Sequence, residues 1–275
     1  MGEVFADTWH RYAEKHGYDI ITIKNYIDPD HAEKKRRPHW QKCLILEHPE
    51  VKQYKRAVWT DSDILINHHR APCIVSQTTE PGKVGAVSYA AFNTATSKLR
   101  ANRQDRHFEY LVKFGGGDAY GLGRVPEPRD IYRAIGFDTS IEDVVNTGVL
   151  VFDTDLHAGV LRDVYETHQE SRVSLFENIP LLMELLQRGL VQFIDPQFNA
   201  DDLYELLESY PFLLLKEFRE EKKENRRLRI LSANVIWNNN FFLHCVSGAP
   251  TSREDILWIF RNVSDWDNYM FNFRD

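Results

Sequence analysis

Apolar positions along this chain follow two rhythms, and their alternation predicts an α/β architecture. Val4, Phe5, Thr8, Trp9, Tyr12 and Ala13 recur at helical spacing, which predicts a helix over 4–16 that Gly17 stops. Tyr18-Asp19-Ile20-Ile21-Thr22-Ile23 then reads as a strand. A charged loop follows from Pro29 to Pro38, with Lys34, Lys35, Arg36 and Arg37 expected in solvent. A short helix over 43–48 leads into Arg56-Ala57-Val58-Trp59-Thr60, a run that favours extended backbone and should end at Asp61. Further strands are expected at 84–88, 148–152 and 190–194, with helices over 156–170 and 176–187 between the last two. The alternation predicts one mixed, mostly parallel sheet with helices on both faces.

The remaining stretches are less regular. Residues 93–140 hold a helix-like segment, three consecutive glycines (115–117) and a Pro-rich stretch through Pro126 and Pro128. This reads as an irregular insert near the cleft, with 93–129 as a lid or specificity loop. Asp201 to Arg229 carries helical periodicity broken at Pro211, ending in a charged run over 217–229 that reads as solvated. Asn239 to Cys245 is a last strand candidate, and 252–273 has the pattern of an amphipathic terminal helix. No repeat or linker interrupts the chain, so residues 1–275 are expected to form one domain.

With 275 residues, 43% of them hydrophobic, the chain can bury a large core. A net charge of −7 argues against a nonspecific nucleic-acid binder. No run has membrane-spanning length and no basic-then-apolar leader opens the chain, so a soluble cytoplasmic protein is expected. Cys43, Cys73 and Cys245 lack metal or redox spacing and are expected to be buried free thiols.

Candidate chemistry centres on acids spaced i, i+2. Asp-x-Asp occurs four times: Asp28/Asp30, Asp61/Asp63, Asp153/Asp155 and Asp265/Asp267. Asp28-Pro29-Asp30 sits in a polar turn, and the last pair has no strand before it. Asp153-Thr154-Asp155 does follow a strand, but it also opens a helix, where Asp and Thr serve as caps. Asp61-Ser62-Asp63 stands at the carboxyl end of a buried strand, where α/β sheets bind ligands. Two carboxylates there suit a divalent cation that shares its ligands with substrate phosphates.

The chain resembles GT-A glycosyltransferases, nearest the retaining galactosyl/xylosyltransferase group and more distantly the glycogenin-like group. The resemblance runs in order over about residues 5 to 250. Tyr12-Ala13 with His16-Gly17-Tyr18 is similar to that group's first helix and the strand after it. Trp40-Gln41-Lys42 resembles a Trp-x-Lys element, and Trp59 to Ile66 resembles the metal motif. Asn146-Thr147-Gly148 resembles an Asn-x-Gly that contacts the donor sugar, and Glu177-Asn178 sits where an Asp-Gln pair usually lies. Phe198-Asn199 and Phe242-Leu243-His244 resemble the closing elements. Only Met1-Gly2-Glu3 precedes the first helix, so the group's first strand is expected to be missing.

The resemblance implies a Rossmann-like GT-A fold and a metal-dependent hexosyl- or pentosyltransferase acting with retention. The donor is a nucleotide sugar, and the acceptor is a saccharide or another hydroxyl compound. Mn²⁺ or Mg²⁺ is implied on Asp61, Asp63 and His244. Donor contacts are implied for Lys42, Asp61, Ser62, Asp63, Asn146 and Gly148, and catalytic positions for Glu177 and Asn178. Read without the resemblance, His244 suits a satisfied core histidine, Glu177 a first-turn helix acid, and Lys42 a surface lysine. Two alternatives remain open: a sugar nucleotidyltransferase, although residues 1–40 lack its Gly-rich, Arg-containing loop, and a non-catalytic binding protein on a degraded version of the fold.

Overall fold

The computed structural model describes residues 2–88, 145–169, 177–202, 209–214 and 223–245, together with Asp130, Tyr132, Arg133 and Glu205. The insert at 93–140 and the terminal helix at 252–273 lie outside the described residues, apart from those three insert positions. Helix α1 (Gly2–His16) ends where Gly17 takes φ of 72°, a conformation glycine adopts without strain. A 3₁₀ run over Pro38–Glu47 precedes β1 (Arg56–Thr60) and β2 (Ile64–Ile66). Then come β3 (Val84–Ser88), β4 (Val145–Asp153), α2 (Thr154–Thr167), α3 (Asn178–Gln187) and β5 (Val191–Phe193). The short β6 (Ala200–Asp201), α4 (Lys223–Asn239) and β7 (Phe242–His244) complete the described elements.

The fold is a mixed α/β arrangement built on two sheets. The larger has strand order β1-β4-β3-β5, and the smaller β2-β7-β6. In the larger sheet β4 runs antiparallel between β1 and β3, while β3 and β5 pair in parallel, so β1, β3 and β5 share one direction. Strand β4 is buried along nearly its whole length, and its side chains alternate between two cores. Leu150 and Phe152 meet α2, α3 and the 3₁₀ run through Leu161, Val164, Leu182 and Trp40. Val149 and Val151 face the other way, onto Tyr12 of α1 and onto Ile64, Ile66 and Phe242 of the smaller sheet. The far face of the smaller sheet packs Leu65 and Leu243 against Ile230, Ala233, Ile236 and Trp237 of α4. Helices therefore cover both faces.

The sheets are mixed, as expected, but several expectations change. In place of one mostly parallel sheet the described residues form two, and antiparallel pairs outnumber parallel ones because β4 runs against both of its neighbours and β2 against β7. Strand β1, which leads to Asp61, is half-buried rather than buried. Residues 18–23 are extended but form no strand among the described residues, because alternate side chains find a core while the backbone finds no ladder partner there. Ile21 and Ile23 pack on the α2–α3 core, and residues 18–23 and β1 line the same cavity. The run over 217–229 is not simply solvated: from Lys223 it enters α4, and Arg229 and Ile230 are buried. The charged loop also contributes a buried residue. Arg36 is only 6% exposed, with its guanidinium 4.5 Å from the centroid of Trp40 and 4.6 Å from that of Tyr165. Of the three free thiols, Cys43 and Cys245 are buried, while Cys73 is half-buried with its sulfur 2.9 Å from the Tyr18 hydroxyl. Among the described residues no helix is long and apolar enough to cross a membrane.

Asp28 ties the charged loop to α2. Its carboxylate accepts bonds from the Asp30 amide at 2.9 Å, Lys34 Nζ at 2.8 Å and the Tyr165 hydroxyl at 2.7 Å. Partial burial raises its pKa, but these donors outweigh that effect and hold the carboxyl down at about 2. Asp28→Ala is expected to cost on the order of 1 kcal/mol at neutral pH, the usual loss for a capping carboxylate. A depressed carboxyl contributes its full stability above its unfolded pKa of roughly 3.9 and loses it as pH falls toward the folded value. Urea melts should therefore separate wild type from Asp28→Ala at neutral pH and converge as pH approaches about 2.

Candidate metal centre

The two sheets meet at the turn Asp61-Ser62-Asp63. The Asp61 amide still bonds the Gly148 carbonyl at 2.8 Å, extending the β1–β4 ladder by one residue. The Ile64 amide then bonds back to the Asp61 carbonyl at 3.2 Å, which closes the turn and starts β2 in the other sheet. Ile64 pairs with His244, and the Cys245 amide bonds the Asp63 carbonyl at 2.9 Å. The strand pairing thus fixes His244 beside the two acids, although it lies near the far end of the described chain.

Asp61, Asp63 and His244 each offer one ligand atom, and these three atoms lie within 4.8 Å of one another. Bonds of roughly 2.0–2.3 Å to a divalent cation allow a spread of up to about 4.6 Å between opposite ligands, so a small contraction suffices. Two carboxylate oxygens and one imidazole nitrogen suit Mn²⁺, and a Mg²⁺ site would make less use of the imidazole.

Backbone and amide contacts orient His244. The Gly148 amide donates to Asn146 Oδ1 at 2.8 Å, and Asn199 Nδ2 donates to the Asn146 carbonyl at 3.0 Å. These bonds turn Asn146 Nδ2 and Asn199 Oδ1 toward His244 Nδ1, at 3.1 and 3.2 Å. Nδ1 can accept from Asn146 Nδ2 or donate to Asn199 Oδ1, but not both; a metal-binding imidazole needs the second, which leaves Nε2 a lone pair facing the acids and Asn146 Nδ2 as a contact only. Nε2 lies 3.4 Å from Asp63 Oδ1. Burial lowers the imidazole pKa, but Asp63, Asp201 and Asp61 raise it more, and the net shift is upward.

Gly148 is required by contact rather than by turn geometry. A Cβ there would stand 2.6 Å from His244 Cε1 and 2.8 Å from Nδ1. The register of β3 on β4 also shifts between Ala86 and Val87, so the polar Asn146-Thr147-Gly148 break coincides with a bulge. Asn146 is thus engaged by Gly148 and His244.

Behind the acids lies a buried ammonium. Lys42, on the 3₁₀ run, is 3% exposed. Its Nζ lies 2.8 Å from Glu177 Oε1, 3.1 Å from Asp61 Oδ1 and 3.1 Å from Thr147 Oγ1. Burial pulls its pKa down, but Asp61 and Glu177 push it up further, so it stays charged. Trp59 Nε1 also donates to Asp61 Oδ1 at 2.6 Å. Glu177 precedes α3, where the helix N-terminus favours an anion, and it is 1% exposed. Its second oxygen, Oε2, is buried with no hydrogen-bond partner among the described residues. Such an orphan acceptor is expensive unless a ligand donor meets it. Asn178 follows, and its Oδ1 accepts a bond from the Thr147 hydroxyl.

Lys42, Trp59, Asp61, Ser62 and Asp63, with Tyr18, line a cavity of about 910 Å³. That volume lies in the range of small-molecule sites. Ser62 is exposed at the turn. The rival pair stands elsewhere: Asp153 occupies the cap position of α2, but its side chain makes no capping bond there. His157 Nδ1 instead reaches back to accept the Asp153 amide at 2.9 Å. Thr147 and Asn199 stand in elements the sequence marks, Asn146-Thr147-Gly148 and Phe198-Asn199, but their own roles depend on partners from other elements: Lys42 and Asn178 for Thr147, His244 for Asn199.

No protein-family model matches the chain, and no curated relative matches it. Among solved structures it is similar to a glycosyltransferase involved in the glycosylation of the major capsid of PBCV-1. That alignment has a TM-score of 0.47 and 13% identity, and it covers 90% of this chain and 87% of the other. It is also similar to the bifunctional glycosyltransferase WbbM, with a TM-score of 0.39 and 13% identity, over 82% of this chain and 35% of that one.

Gly148→Ala places a methyl group against a ring held from both sides. It is expected to cost about 1–3 kcal/mol by overpacking and to weaken Mn²⁺ binding by displacing His244. Thermal melts with and without Mn²⁺ check this: the variant should melt lower and lose the metal-induced rise. An unchanged rise would show that the His244 position is not set by Gly148.

Proposed function

We propose that this protein is a divalent-metal-dependent glycosyltransferase, moving a hexosyl or pentosyl group from a nucleotide sugar to a saccharide or other hydroxyl acceptor with retention. One observation carries the reading: Asp61, Asp63 and His244 converge within 4.8 Å, and the two acids line a cavity of about 910 Å³. The bound cation supplies Lewis-acid neutralisation of a departing diphosphate. The chain's own residues do the rest. Asp61 and Asp63 hold the hard cation, and His244 completes the set through Nε2, oriented by Asn199. Trp59 fixes the Asp61 carboxylate through its indole N–H.

Glu177 offers Oε2 as an acceptor for a donor-sugar hydroxyl, while Lys42 holds the carboxylate in place through Oε1. Asn178, tied to Thr147, borders the same position. Asn146 and Gly148 act by seating His244, so their donor contact is indirect in this reading. Ser62 lines the donor side of the turn.

Asp63→Asn keeps the side chain's shape and removes one ligand charge. Hydrolysis of a panel of nucleotide sugars with Mn²⁺ should reveal one active donor, and Asp63→Asn should lower that rate by at least about a hundredfold, more than the roughly 10–100-fold lost when only an outer-shell partner of a metal is changed. The melting temperature of the metal-free variant should stay near wild type. Asp153→Asn serves as the control and should retain full rate. A protein whose melting point rises with a nucleotide sugar but which hydrolyses none would instead favour the binding-protein alternative.

A further inference from the structure

Lys42 has a place that the proposed reaction does not by itself explain. Its ammonium is shared by two carboxylates of different standing. Glu177 is buried as deeply as Lys42 and takes the shorter contact, 2.8 Å, while Asp61 is part-exposed at 3.1 Å. The second Asp61 oxygen also faces Nζ, at 3.4 Å. Asp61 Oδ1 already receives the Trp59 indole N–H. Both oxygens of a candidate metal ligand are therefore engaged by one buried cation, and like charges on a shared ligand repel at short range.

We propose that Lys42 is a positioning residue that competes with the divalent cation for Asp61 and holds Glu177 in place. The ammonium weakens metal binding in the absence of substrate and confines tight binding to the complex with an anionic diphosphate, whose charge offsets it. This makes metal and donor binding mutually dependent. The inference rests on Asp61, Asp63 and His244 holding a metal, as proposed above.

The sign of one measurement separates this role from a merely structural one. Mn²⁺ affinity is measured by electron paramagnetic resonance of free Mn²⁺, with no nucleotide sugar present. Lys42→Met is expected to bind Mn²⁺ about five- to tenfold more tightly than wild type, on the order expected for removing one like charge at a few ångströms. Lys42→Arg restores the charge and should return the affinity toward wild type. Damage to the site would move Lys42→Met the other way. If Lys42→Met alone fails to fold, Lys42→Met with Glu177→Gln removes the buried pair together, which cores tolerate better than an orphaned charge, and it should still bind Mn²⁺ more tightly than wild type. Equal or weaker binding in folded Lys42→Met or in the double variant overturns the competition while leaving the metal site intact. If wild type and every variant bind no Mn²⁺, the metal reading falls and this inference falls with it.

Discussion

The structure turns on one contact, the close approach of the His244 ring to Gly148. It joins β4 of the larger sheet to β7 of the smaller one at the point where the chain crosses between them. Any side chain at 148 would drive the ring away, and the ring is what completes the cluster with Asp61 and Asp63. The bulge in β4, the tight turn after β1 and the pairing of Ile64 with His244 are all arranged around that approach.

Charge shapes the second layer. A lysine buried to 3% exposure is costly unless its partners are close, and here they come from three separate segments. Lys42, Asp61 and Glu177 therefore bind the 3₁₀ run, the end of β1 and the start of α3 into one electrostatic unit. Truncating one member leaves an uncompensated charge, which in buried pairs costs about 3–5 kcal/mol. The arrangement specifies geometry more than it adds stability, and it leaves Glu177 Oε2 as an acceptor awaiting a donor.

Periodicity made most elements readable in the sequence. Helix α1 and strands β1, β3 and β4 follow directly from spacing, because each has a full face to bury. Residues 18–23 show the limit of that signal: alternation reports a two-sided environment but says nothing about a hydrogen-bonding partner. Helix α4 was hidden because charges and the asparagines at 234 and 238–240 dilute its apolar stripe of Ile230, Ala233, Ile236 and Trp237. Arg36 looked solvated because its two aromatic partners come from different elements. At the site, the acid pair was visible by spacing and His244 through resemblance. The Lys42–Glu177 pair and the Asn199–His244 bond are tertiary, and nothing local announces them.

The central claim is that a metal binds through one imidazole and the two acids. Pulsed electron paramagnetic resonance of bound Mn²⁺ tests it most directly, because a directly bonded imidazole gives a nitrogen hyperfine coupling. One Mn²⁺ per chain is expected, with a nitrogen coupling that vanishes in His244→Gln. Mn²⁺ bound with no nitrogen coupling, or with a coupling that survives in His244→Gln, would contradict the account.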